Sequence, residues 1–127
     1  MRKPTLKGLH KKTKDTVREY IRLRDRDTCQ RCNKLVYGIN SHPSHVKPVS
    51  THGFLRYDEL NIKLLCFHCH RNFWHLNITE AAEWFKHRFP ERAKYLTLQG
   101  QRTHQWKPWE LEELIEEYKG KIKELEG

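Results

Sequence analysis

No apolar run in this 127-residue sequence approaches the length of a membrane span. The basic opening MRKPTLKGLHKKTK is followed by no apolar segment of the secretory kind. A cytosolic protein with reduced thiols is therefore expected, with no membrane partner. Apolar residues are scarce as well, at 36%. One small domain of that composition buries a modest core and favours a metal or disulfide staple. Internal repeats and low-complexity tracts are absent, which excludes a solenoid.

Acidic charge is scarce until the end of the chain. The net charge is +9. Residues 108–127 hold seven Glu against three Lys, a net of −4. The preceding 107 residues hold 22 Lys and Arg against nine Asp and Glu, a net of +13. A body so basic attracts polyanions, and nucleic acid is the natural partner.

The pattern divides the chain into a basic flexible arm (1–13), a central domain (14–99), and a linker with a C-terminal helix (100–127). Thr13 or Asp15 can cap a first helix to about Arg26, with Val17, Tyr20 and Ile21 on its apolar face and Arg18, Arg22 and Arg24 on the other side. Residues 43–60 read as a β-hairpin turning near His52-Gly53, its second strand FLRYDEL. A short helix should begin near Cys69. Asn77 or Thr79 caps another, with Ala81, Trp84, Phe85 and Phe89 facing the core, and Pro90 starts the next. Pro108 opens a last helix, where Leu111, Ile115, Tyr118, Ile122 and Leu125 form a heptad-like seam. The seam suits packing on its own domain. A homodimer or another protein partner is the alternative.

The cysteines number four and fall into two Cys-x-x-Cys pairs, Cys29/Cys32 and Cys66/Cys69, with 33 residues between them. Four thiolates suit tetrahedral Zn²⁺ in a closed structural site, one ion per chain. Two disulfides are the alternative, disfavoured in a reducing compartment. A closed four-sulfur site has no open coordination position, so any chemistry belongs elsewhere.

Histidines and an asparagine lie at suggestive places around these pairs. His45 stands in HPSHVKP, and Asn61 opens NIKLLCFHCH, nine positions before His70. This stretch, about residues 29–75, resembles the HNH endonuclease family, and the tail FHCHRNFWHLNITEAAEWFKHRFPERAKYL is similar to phage-borne members of the NinG type. The resemblance implies an α+β fold: a small zinc-stapled ββα-metal core with flanking N- and C-terminal α-helices. It implies a metal-dependent endonuclease that hydrolyses DNA phosphodiester bonds, leaving 5′-phosphate and 3′-hydroxyl ends. His45 is then the general base, which a neutral imidazole can be near pH 7. Asn61 orients it by bridging backbone groups, and His70 binds one catalytic Mg²⁺, Mn²⁺ or other divalent transition metal. Where many members carry Asp or His before the base, this chain has Ser44, a poor ligand. His75 is the favoured second ligand, with His42 or Ser44 as alternatives. If phage-encoded, the enzyme works in the host bacterial cytoplasm.

Lys47, Arg56, Lys63 and Arg71 are the local candidates for phosphate contacts, with Arg18 and Arg22 on the first helix as a second surface. Phe73 and Trp74 are expected to pack rather than stack on bases. A zinc-stabilised DNA-binding module without catalysis is the rival reading.

Overall fold

The structure, a computed structural model, describes residues 3–127. It is mostly helical, with one two-stranded antiparallel sheet, an α+β arrangement. Helix α1 spans Leu6–Arg24, and strands β1 (His42–His45) and β2 (Ile62–Leu65) form the sheet. A π-helical turn, Cys69–His75, leads to α2 (Ile78–Arg88), α3 (Pro90–Gln99) and α4 (Pro108–Glu126). Among the described residues no helix is long and apolar enough to cross a membrane.

Helix α1 corrects the expected arm. Thr5, not Thr13 or Asp15, is the cap, its hydroxyl accepting from Gly8 N–H at 2.9 Å. Leu9 and Thr13 are buried on the same stripe as Val17, Tyr20 and Ile21. That stripe extends the helix through most of the lysine-rich segment, because lysines occupy only its outer face. Met1 and Arg2 of the arm lie outside the described residues.

Helix α4 uses its seam inside the molecule. Leu111, Ile115 and Tyr118 share one core with Leu9, Val17, Tyr20, Ile21, β2 and the buried cysteines. Only the end of the seam, Leu125, stays half exposed. A second core gathers Leu55, Phe85 and Leu96, and Trp74 packs against both cores. Phe73 is buried. Pro90 and Pro108 each start a helix, where a missing N–H costs nothing. Asn77 stands before α2 without a side-chain cap; its amide donates to the Asn72 carbonyl instead.

The expected hairpin is wrong in its second half. β1 pairs with Ile62–Leu65, in the register His42↔Leu65, Ser44↔Lys63 and His45↔Ile62. Residues 46–61 form a long loop with 3₁₀ turns at Gly53–Leu55 and Glu59–Asn61. FLRYDEL is not a strand, because Leu55 and Tyr57 are buried under other elements. The C-terminal segment braces this loop. Phe54 N–H donates to the Arg102 carbonyl (3.1 Å), Trp106 Nε1–H to the Gly53 carbonyl (3.2 Å), and the Tyr118 hydroxyl to the Tyr57 carbonyl.

Candidate active site and metal centre

The two knuckles converge. Cys29, Cys32, Cys66 and Cys69 bring their sulfurs within 4.8 Å of one another, and Cys32 and Cys66 lie 3.8 Å apart. Zn–S bonds of about 2.3 Å in a tetrahedron set sulfurs about 3.8 Å apart, so the cluster fits one zinc ion. Local backbone makes each turn. Asn33, at φ 64°, closes the first knuckle, with its N–H on the Cys29 carbonyl. In the second, Cys69 N–H donates to Cys66 Sγ at 3.3 Å. Burial opposes ionisation of Cys29, but backbone donors at Cys32, Cys66 and Arg31 outweigh it and bring the thiol down to about 7. Burial pushes Cys69 up to about 12. A bound cation reverses such a penalty by stabilising the thiolate. Arg31, which sequence reasoning missed, donates to Cys69 Sγ at 3.5 Å and stacks 3.6 Å above the Phe73 ring.

The remaining candidates surround the sheet and the π-turn. His45 Nε2 lies 2.9 Å from the Arg56 carbonyl. A carbonyl only accepts, so Nε2 carries the proton and Nδ1 of the neutral ring keeps its lone pair. Burial, then the charges of Lys63, Arg56 and Arg18, hold the His45 pKa below the usual histidine value, against the opposing Arg56 hydrogen bond. Asn61 is fully buried, and its amide spans the loop. Its oxygen accepts from Lys47 N–H (2.8 Å), and its nitrogen donates to the carbonyls of Lys47 and Leu55 (both 3.2 Å). Two arginines hold the backbone on either side. Arg24 donates to the carbonyls of Glu59 and Ile62, and Arg92 to those of Leu60 and Ile62. Arg24 is thus a brace rather than part of an outer basic face.

His70 is flanked by two rings, His42 stacked at 5.1 Å and His75 edge-on at 4.5 Å. Its Nδ1 is buried and has no hydrogen-bond partner. Burial, then the neighbouring His75 and His42, pull the His70 pKa down to about 4. An orphaned, neutral imidazole nitrogen is a ready metal ligand, so His70 fits the divalent ion. His42 already donates Nε2–H to the Ile39 carbonyl at 2.8 Å. Among the described residues the cysteines are the only group of three or more His, Cys, Asp or Glu with converging ligand atoms. The histidines therefore offer one or two donors, not a complete shell.

A cleft of about 1170 Å³ opens beside these residues. Ser44, His45, Lys47, His70, Trp74 and His75 line one side, and Lys86 and Lys94 come from α2 and α3. These last two cations carry no motif and were not anticipated.

The basic candidates separate by exposure. Arg71 and Arg18 are exposed, and the Arg18 charge reaches both His45 and His70. Arg56 and Lys47 are half-buried beside the site. Arg22 is engaged with Asp27 at 2.8 Å and Glu19 at 2.7 Å, so it is not a free phosphate contact. Lys63 is corrected outright. It is 0% exposed, its Nζ is 3.2 Å from the Trp74 ring centre, and it bonds to Ser44 Oγ (3.4 Å) and the His45 carbonyl (3.5 Å). Burial holds its pKa well below the lysine value. It cannot touch a phosphate.

The family model described as the bacteriophage lambda NinG protein matches residues 1–127. The chain belongs to the NinG family. No curated protein and no solved structure matches it. The match takes in the knuckles, the histidine cluster and α4 alike, so the C-terminal brace belongs to the NinG unit.

Proposed function

We propose that this NinG chain is a metal-dependent endonuclease of the HNH type, which hydrolyses DNA phosphodiester bonds. The observation that carries the reading is the arrangement around His45. A backbone carbonyl fixes its protonated nitrogen, the buried Asn61 ties the same loop, and His70 lines the same cleft.

His45 Nδ1 takes the proton of the attacking water. The surrounding cations and burial keep the ring neutral in the physiological range. Asn61 acts through the loop, holding it so that the Arg56 carbonyl stays on His45 Nε2. His70 holds the divalent metal through a nitrogen, with His75 as its partner, since His42 is already tied to Ile39. Such an ion, when bound, polarises the phosphate and stabilises the leaving 3′-oxygen. The zinc held by the four cysteines fixes the π-turn from which His70 projects.

DNA is the partner, and the outer face of α1 is its second contact surface. Lys7, Lys14 and Arg18 are exposed on this face, with Lys11 between them paired to Asp15 at 2.8 Å, and the row ends at the charge that reaches both histidines. If the chain is phage-encoded, it works in the host bacterial cytoplasm.

Supercoiled plasmid incubated with Mg²⁺ or Mn²⁺ tests the reading. Nicked or linear product is expected, lost in His45→Ala and on chelation. Retained DNA binding with no cleavage under any divalent metal would leave the rival, a zinc-stabilised binding module. That module needs the cysteines and the charge but has no use for His45, Asn61 and His70 together.

A further inference from the structure

The segment after the first knuckle presents apolar side chains to water. Val36 is fully buried, and its outward neighbour Tyr37 is 63% exposed. At the tip of the Gly38–Asn40 turn, Ile39 is 97% exposed, the most exposed large apolar side chain among the described residues. Phe67, 51% exposed, lies beneath that turn, its N–H donating to Asn40 Oδ1 at 2.8 Å. Gly38, at φ +57°, allows the chain to turn so sharply. An isoleucine at such a tip gains no burial and costs solubility, so packing does not explain it.

The tip adjoins the candidate cleavage site. The Ile39 carbonyl holds His42, the Phe67 ring packs on His42 at 5.6 Å, and His42 stacks on His70. Lys34, five residues before Ile39, and Arg71, four residues after Phe67, are exposed, and the chain around the tip has no acidic residue between Asp27 and Asp58.

We propose that Ile39 is a wedge inserted between stacked bases of the DNA held at this site, with Phe67 covering the base face it uncovers. The inference rests on the nuclease reading for its occupant. Apolar side chains that enter a base step unstack it, unwind the duplex and kink it, at a cost of a few kcal/mol per step repaid by added contacts. Positive charge around an apolar tip favours a polyanion with apolar faces over an apolar protein partner. The consequence is that DNA is distorted next to the phosphate that His70 and His45 address.

The test measures unwinding rather than cleavage. Closed circular DNA is relaxed by a metal-independent topoisomerase in the presence of full-length protein without added divalent metal, and the topoisomer distribution is read after deproteinisation. The intact chain should shift the linking number in proportion to bound protein. Ile39→Ser should lose the shift while keeping zinc content, melting temperature and the salt dependence of binding, since the residue packs on nothing. Phe67→Ala should reduce it. No shift with the intact chain, or an equal shift with Ile39→Ser, would overturn the wedge. So would a change in oligomeric state with Ile39→Ser and unaltered topoisomers, which would assign the patch to protein docking. Unwinding that persists in a protein unable to cleave with Mg²⁺ would instead refute the nuclease reading and leave the wedge standing.

Discussion

The Nε2–H of His45 donates to the main-chain carbonyl of Arg56 across 2.9 Å. Main chain, not the Arg56 side chain, therefore sets the imidazole. His45→Ala should lower single-turnover plasmid cleavage by about 10²–10⁴-fold, the usual worth of a positioned base. Arg56→Ala should keep the chemical step near wild type and weaken only binding. Equal loss of the chemical step in both variants would contradict this division.

Zinc content should be one ion per chain by elemental analysis. Cys29→Ser or Cys66→Ser should release it and unfold the protein or lower its melting temperature sharply, because in so small a core metal binding and folding draw on the same free energy. A stable, metal-free wild type would defeat the assignment.

Salt dependence should distinguish the basic residues. Each phosphate neutralised contributes about −0.9 to the log–log slope of affinity against salt on duplex DNA. Arg18→Gln should reduce the slope by about that amount. Arg22→Gln should leave it nearly unchanged, since Glu19 and Asp27 already hold its guanidinium. Lys63→Met should also leave it unchanged while altering stability, because its ammonium lies under Trp74. Fluorescence anisotropy over a salt series reads all three.

Acid should destabilise the fold through His70. Its pKa falls from the ordinary 6.5 to about 4 in the folded chain, so folding favours the neutral ring. That contribution is complete above pH 6.5, and it is lost as pH drops toward 4. His45 shifts in the same direction. The melting temperature should decline across this window, and His70→Asn should flatten the decline. An unchanged slope in the variant would place the acid sensitivity elsewhere, with the thiolates the first suspects.

Metal titration should resolve the partner of His70. His75→Ala should raise the Mn²⁺ concentration needed for cleavage as strongly as His70→Ala, and His42→Ala should be mild, because the His42 ring is held by Ile39. The reverse order would assign the ligand to His42. Wild-type titration by both would leave Ser44 and water to complete the shell.

The knuckles and the starts of α3 and α4 were legible because covalent spacing and proline leave little freedom. Cys29 to Cys69 converge as the pairs implied, and Pro90 and Pro108 open helices. Asn61 stood out only through the HNH resemblance; its burial and its backbone hydrogen bonds to Lys47 and Leu55 come from the fold. The start of α1 was hidden because its lysines mask an apolar stripe that continues to Leu9. The second strand was misjudged because FLRYDEL alternates like a strand. What buries Leu55 and Tyr57 is α3 with its neighbours and α4, contacts that local pattern does not contain. Lys63 was misread for the same reason. Charge suggests solvent, and only the fold brings Trp74 over it.

Cys69 and His70 are consecutive residues of one π-turn, so the four-cysteine cluster and the candidate cleft share a single turn of chain. Inhibition by chelators should therefore run on two clocks. Withdrawal of a loosely held divalent ion should be immediate and reversed by adding it back. Extraction of zinc should be slow, should swing His70 out of register with His45, and should outlast any later addition of Mg²⁺. Oxidation of the knuckle thiols should follow the slow clock, making any cleavage sensitive to redox state although no cysteine lines the cleft.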